Sequence, residues 1–206
     1  MQHFIFEKIK RIQALAEIGL HYAENTFDRE RYEELQEIAL QMLEQITDVP
    51  VEIITPVILE KDGYKTPKVD VRAVVFNEKS QILLVQEKVD GLWAMPGGWS
   101  DISFSPSEVA EKECFEEAGI KVKAVKLLAL LDKQKQNMPP AFEYVYKIYL
   151  LCQKLDDNIS VGTETSDVGW FDENNLPEFS TPRNTEEQIK MMFQYHRGER
   201  TEPCFD

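Results

Sequence analysis

Gly97-Gly98-Trp99-Ser100-Asp101-Ile102-Ser103-Phe104-Ser105-Pro106-Ser107-Glu108-Val109-Ala110-Glu111-Lys112-Glu113-Cys114-Phe115-Glu116-Glu117-Ala118-Gly119-Ile120 is the stretch on which the reading of this chain turns. Residues 107–118 read as a helix. At 100° per residue, Glu113, Glu116 and Glu117 fall within an arc of about 100°. Ala110, Cys114, Phe115 and Ala118 occupy the opposite, apolar side, which is expected to face a sheet. Like charges three or four residues apart destabilise a helix by about 0.2–0.5 kcal/mol per pair. A dense carboxylate face is therefore either simply solvated or relieved by a cation, and oxygen-only ligands favour Mg²⁺ or Mn²⁺ over zinc.

On either side of this helix the pattern is that of strands. Val69 to Phe76 and Ile82 to Gln86 are rich in β-branched and aliphatic residues, and the polar Asn77-Glu78-Lys79-Ser80 between them predicts a hairpin. Leu92 to Met95 is a third extended piece, running into Pro96-Gly97-Gly98. Lys121 to Leu131, Tyr144 to Cys152 and Val168 to Phe171 read as further strands. Thr185-Glu186-Glu187-Gln188 is a capping box that opens a last helix. Strands mixed with two helices predict an α/β sandwich.

The first sixty residues have another character. Ile5, Ile9, Ile12, Ala16, Gly19 and Ala23 form one helical stripe, and Tyr32, Leu35, Ala39, Met42 and Ile46 form a second. Asn25, Thr26 and Asp28 supply the turn and cap between them, and Asp48-Val49-Pro50 ends the second helix. The small residues Ala16, Gly19 and Ala23 let another helix approach closely. A two-helix hairpin cannot bury both of its faces, so it packs on something else: as a cap on its own domain, or as an arm joining two copies of the chain. Lys61-Asp62-Gly63-Tyr64-Lys65-Thr66-Pro67 is linker-like, which sets the expected division at 1–62 and 67–206.

Composition bounds the partners. At roughly 150 residues per domain, 206 residues make one domain and a smaller segment. With 43% apolar residues, a packed core is affordable. The net charge of −14 excludes a basic groove as the main route to nucleic acid. Residues 1–62 carry six basic against thirteen acidic side chains, so RNA docking is possible but not favoured. No apolar run exceeds five residues, as in Leu127 to Leu131, so no membrane span is expected. Glu7, Lys8, Lys10 and Arg11 stand where a signal peptide would need its apolar segment. The three scattered cysteines suggest neither disulfides nor zinc. The expectation is a reduced, cytoplasmic protein.

The glycine–helix stretch resembles the Nudix box, G-x5-E-x7-R-E-U-x-E-E-x-G-U, where U is a bulky aliphatic. Gly98, Glu113, Glu116, Glu117, Gly119 and Ile120 match it. Phe104 stands at the loop glutamate, Lys112 at the arginine and Cys114 at the aliphatic. The resemblance extends over residues 67 to about 195 and implies a Nudix-type α/β/α sandwich with a mixed sheet, preceded by the helical hairpin. The hairpin, Tyr64 to Arg72, Tyr146-Lys147 and Arg183-Asn184-Thr185 are similar to one subgroup, the hydrolases of nucleoside diphosphates linked to another moiety X. Bacterial CDP-choline pyrophosphatases belong to that subgroup, in which an aromatic replaces the loop glutamate and Lys replaces Arg.

What the resemblance implies can be assigned residue by residue. Glu113, Glu116, Glu117 and the Gly98 carbonyl would hold Mg²⁺ or Mn²⁺, and Lys112 would orient and balance the carboxylates. Beyond the resemblance, Asp101 and Glu108 are candidates to complete the shell in place of Phe104, the alternative for each being a solvated turn residue. The general base would be Glu116 or Glu164. Arg72 would meet a phosphate and Glu87 would border the substrate. Phe104, Phe142 and Tyr144 are candidates to face the quaternary ammonium of a choline group. Trp93 and Trp99 are assigned to packing ahead of ligand contact, and His3, His21 and His196 receive no role. The expected reaction is CDP-choline to CMP and phosphocholine, by a homodimer joined through the N-terminal helices. The alternatives are ADP-ribose or another sugar nucleotide, RNA 3′ ends, or a catalytically silent nucleotide sensor.

Overall fold

A computed structural model of the chain describes residues 2–47, 66–139, 141 and 143–206. Asp48-Val49-Pro50, Lys61 to Lys65 and Phe142 therefore lie outside the described residues. The chain divides into two units, Met1–Pro67 with Pro140–Glu143, and Lys68–Pro139 with Tyr144–Asp206.

The first unit contains helices α1 (Gln2–Tyr22) and α2 (Thr26–Thr47). Between them the Asn25 side-chain oxygen accepts the Asp28 N–H at 2.8 Å, which caps α2 as its sequence predicts. The two helices close over Phe6, Ile9, Ala39, Leu40 and Leu43. Gly19 makes room for Tyr32 of the other helix: a Cβ placed there would lie 2.3 Å from the Tyr32 ring. Ile9, Ala16 and Ala39 of the predicted stripes are buried, and Ile5, Ile12 and Ile46 pack partly against the helix core, but the buried arcs reach past the predicted ones. In α1, Phe6 and Gln13 are buried where Ile5 and Ile12 were expected; in α2, Leu40 and Leu43 are buried and Leu35, Ile38 and Met42 are exposed. Each helix is apolar over a wider arc than one partner helix can cover, so packing selects the part that is hidden. Among the described residues, an apolar line on α2 is left exposed.

The second unit is built on β1 (Lys68–Val75), β2 (Ile82–Glu87), β3 (Trp93–Ala94), β4 (Gly97–Trp99), α3 (Pro106–Ala118), β5 (Val122–Asp132), β6 (Val145–Lys154), β7 (Thr165–Phe171), α4 (Glu186–His196) and β8 (Cys204–Phe205). A mixed sheet runs in the order β4-β1-β6-β5-β8, and an antiparallel sheet in the order β3-β2-β7. The predicted β1–β2 hairpin is corrected here. Between them there is only an isolated bridge, Phe76 just past β1 with Ile82, and the two strands enter different sheets. Residues 70–75 of β1 are buried on both faces, and such a strand takes a central place with ladders on both edges. Those ladders come from β4 and β6.

Helix α3 packs Val109, Ala110, Cys114 and Ala118 against Val71, Ala73 and Val75 of β1. On the opposite face α4 packs Ile189, Met192 and Phe193 against Val74, Leu128 and Tyr149. Phe115, expected on the sheet side of α3, is 56% exposed, whereas Glu117 is buried. The contact stripe runs along Ala110, Cys114 and Ala118 and spills over to the Glu117 side. The ends of α3 are fixed locally. Ser105 and Glu108 form a capping box, and Gly119 closes the helix at φ 68°. The Thr185–Gln188 box opens α4 as predicted.

Candidate active site

The site forms where β1, β4 and α3 meet. Gly97 has φ 147°, and a Cβ there would lie 2.0 Å from the Val71 carbonyl oxygen, so only glycine fits. Its N–H donates to Glu117 Oε2 at 2.9 Å, tying the helix to the turn. Gly98 lies beside Glu113, whose carboxyl carbon would be 3.5 Å from a Cβ at that position. Along the same helix face, Lys112 Nζ donates to Glu116 Oε2 at 2.7 Å and to Glu113 Oε1 at 3.3 Å. Hydrogen bonding to Glu116 raises the Lys112 pKa. Burial raises that of Glu113, and it pushes Glu117 up to about 7 against the pull of the Gly97 N–H and Arg72. Negative charge on this face is thus in excess of its partners.

Beneath it lies a buried ionic cluster. Arg72 Nε and Nη2 donate to the two Asp70 oxygens at 2.7 and 3.0 Å, and Nη1 donates to the Met95 carbonyl at 3.1 Å. Lys147, register partner of Asp70 on β6, is fully buried and donates to Asp70 Oδ2 at 2.8 Å. Burial lowers Lys147 to about 8, with Asp70 opposing the shift. For Asp70 burial acts upward, but the two cations beside it outweigh burial and hold the carboxyl below its ordinary range.

The far wall comes from β2 and the segment before α4. Arg183 Nε pairs with Glu87 Oε1 at 2.7 Å, and Nη1 reaches Ser180 Oγ at 2.9 Å and Asp90 Oδ2 at 3.3 Å. Burial raises Glu87, and Arg183 offsets part of the shift. The loop before β7 is docked on the C-terminal end of α3. Ser160 N–H donates to the Ala118 carbonyl and Thr165 Oγ1 to the Glu117 carbonyl, both at 2.8 Å. That contact fixes the base of the loop bearing Glu164.

These parts enclose a cleft of about 510 Å³. Gly98, Arg72, Glu87, Lys112, Glu113, Glu116, Glu117 and Glu164 all line it, as does Asp101. Three other candidates stand elsewhere. Phe104 is 46% exposed in the turn after β4, where its N–H bonds the Asp101 carbonyl, and it does not line the cleft. The Tyr144 hydroxyl is taken by Asp132 at 2.5 Å, and its ring meets Tyr146 edge-on. Glu108 is engaged by the Ser105 cap. Asp70, Lys133 and Arg183 line the cleft without having been singled out for it, and Trp99, assigned to packing, is corrected to an exposed residue of the lining. For Asp70 a signal existed: opposite charges at i and i+2 of a strand share one face. The link from Asp70 to Lys147 needed the parallel β1–β6 register.

Among the described residues, the cleft is lined by seven carboxylates against four cationic side chains. An anionic diphosphate does not enter such a cleft unless further positive charge accompanies it. No three acidic, histidine or cysteine side chains among the described residues already surround one point, because Lys112 holds Glu113 and Glu116 while Gly97 holds Glu117. The donor set is nevertheless all oxygen, and the acids whose ionisation burial opposes are the ones a hard divalent cation would relieve. The residues fit such an ion.

Glycine turn, carboxylate helix and buried arginine on an α/β/α sandwich define a class of enzyme, the hydrolases of phosphoanhydride linkages. The NUDIX domain matches residues 66–195, and the UDP-X-like, N-terminal oligomerisation domain matches residues 5–58. The chain belongs to the Nudix hydrolase family. It is 41% identical over 200 residues to a Bacillus subtilis protein provisionally named an ADP-ribose pyrophosphatase, covering 97% of this chain and 96% of that one. Among solved structures, a UDP-X diphosphatase is 32% identical with a TM-score of 0.64, over 100% of this chain and 99% of its own. An ADP-ribose pyrophosphatase from Streptococcus suis is 42% identical with a TM-score of 0.62, over 68% of this chain and 100% of its own. Nudix hydrolases use divalent metal ions. No helix among the described residues is long and apolar enough to cross a membrane.

Proposed function

We propose that this chain hydrolyses the diphosphate of nucleoside diphosphates linked to a second moiety, releasing a nucleoside monophosphate and the phosphorylated moiety. The observation that carries this reading is the convergence of the α3 carboxylates and Arg72 on one cleft. Mg²⁺ or Mn²⁺ held by Glu113, Glu116, Glu117 and the Gly98 carbonyl would neutralise phosphate oxygens and lower the pKa of water. Arg72 receives a phosphate oxygen on a guanidinium that Asp70 and Met95 already hold in place. Lys112 keeps Glu116 and Glu113 oriented. Glu164 takes the proton of the attacking water as its oxygen joins phosphorus and the bridging P–O bond breaks. ADP-ribose and UDP-linked compounds are favoured by the relatives' names; CDP-choline, split to CMP and phosphocholine, is a member of the same class. Among the described residues, Phe104 and Tyr144, two of the aromatic side chains expected to face choline, stand outside the cleft, so they lend CDP-choline no preference.

Incubation with Mg²⁺ or Mn²⁺ and ADP-ribose, UDP-sugars or CDP-choline, with products separated by chromatography, should yield the mononucleotide in each productive case. Excess EDTA should abolish turnover. Full activity in EDTA would overturn the metal assignment, and no product from any nucleotide would overturn the reaction.

The N-terminal helices are proposed to join two copies of the chain, by covering the exposed line of Leu35, Ile38 and Met42. Light scattering should then report a dimer, and a protein beginning near Lys65 should be monomeric or insoluble. A soluble dimer from that truncation would place the interface elsewhere.

A further inference from the structure

Trp99 breaks the pattern of the cleft. Among the described residues it is the one aromatic side chain lining a cavity whose other walls are mostly charged side chains and glycine, with Val145, Thr163 and Pro182 the exceptions, and it is 51% exposed. Trp93, only six residues earlier, behaves oppositely. Its ring packs edge-on against Phe171 at 4.6 Å, and its strand bridges to Phe179. Trp99 stands opposite Asp70 in the β4–β1 ladder, so its side chain leaves the sheet on the face that carries Asp70 and Arg72. The Lys68 ammonium lies 5.7 Å from the indole centroid. Lys68 is paired in turn with Val145, a second apolar residue of the lining. Trp99 and Val145 thus place apolar lining at the N-terminal end of β1, while Pro182 lies on the Arg183 wall. Arg72, paired with Gly97, lies two residues further along the same strand, about 7 Å away.

We propose that Trp99 is the stacking platform for the nucleobase, so that the base lies at the Lys68–Asp70 end of β1 and the diphosphate over Arg72 and the α3 carboxylates. This deepens the hydrolase reading and rests on it for the nature of the ligand. Stacking on a ring face does not depend on the hydrogen-bonding edge of the base, because every base offers a π-face. The platform therefore tolerates uracil, cytosine and adenine, and specificity for X is left to the Arg183 end.

Trp99→Ala should raise KM for UDP-, CDP- and ADP-linked substrates together, by roughly ten- to a hundredfold, with kcat changed far less. Trp99→Phe should recover most of that loss. Inhibition by inorganic pyrophosphate, which has no ring to stack, should be unaltered in Trp99→Ala. Binding is read separately from chemistry by fluorescence: UMP should quench the wild-type protein, and the quench should vanish in Trp99→Phe. Unchanged KM in Trp99→Ala, a fall in kcat alone, or a quench that persists in Trp99→Phe would each overturn the platform. If the wild-type protein hydrolyses no nucleotide, the hydrolase reading fails, while the UMP quench still decides for or against Trp99.

Discussion

Glu117→Gln is expected to lower turnover by a factor on the order of 10²–10³ and, in metal-free buffer, to make the protein more stable at pH 8. The loss of activity follows from removing one charge at a proposed cation ligand while keeping its shape. The gain in stability follows from burial. The Glu117 carboxyl is raised from an ordinary value of 4.5 to about 7, chiefly because it is desolvated. An acid whose folded-state pKa is raised favours folding while it is protonated. That contribution is complete below about pH 4.5 and drains away as the pH climbs to about 7. Glutamine never ionises, and its amide oxygen can still accept the Gly97 N–H. Thermal unfolding in EDTA should therefore show the wild-type protein losing ground between pH 5 and pH 8 while the variant stays level. Equal slopes would mean that Glu117 is not held against its own ionisation. Phe104→Glu is the control: its side chain stands outside the cleft, so turnover should change little. A rise of several orders of magnitude from a barely active wild type would restore the reading of a silent nucleotide sensor.

The second large effect lies under the cleft. Asp70→Asn should cost on the order of 3–5 kcal/mol, because it removes the single anion that Arg72 and Lys147 share and leaves two buried cations facing each other. Lys147→Met should cost well under half as much. It fills a similar volume and leaves Asp70 and Arg72 as a balanced, two-pronged pair. Urea unfolding at pH 7 measures both, read from the midpoints at constant slope. Equal costs would show that packing rather than charge balance governs the cluster. Asp70→Asn should also reduce kcat/KM, since Arg72 loses the partner that fixes its fork at the cleft floor.

Much of this was legible locally. Gly98, Glu113, Glu116 and Glu117 stand in a spacing whose helical periodicity puts three carboxylates on one arc, and all four line one cleft. The strands at 68–75, 122–132 and 145–154 and the Thr185–Gln188 cap follow from side-chain chemistry within a few residues. These properties depend on backbone geometry that each segment carries with it wherever it packs. Other features could not be read that way. The separation of β1 and β2 into two sheets, the burial of Glu117 beside an exposed Phe115, and the Asp70–Lys147 contact depend on which distant strand or helix covers a face. The exposure of Trp99 and the packing of Trp93 are of the same kind, since neither tryptophan's local sequence distinguishes the two fates. Periodicity says which residues share a side. Desolvation, which set the Glu117 and Lys147 pKa values and left Trp99 open, is a sum over neighbours that the folded chain brings from elsewhere.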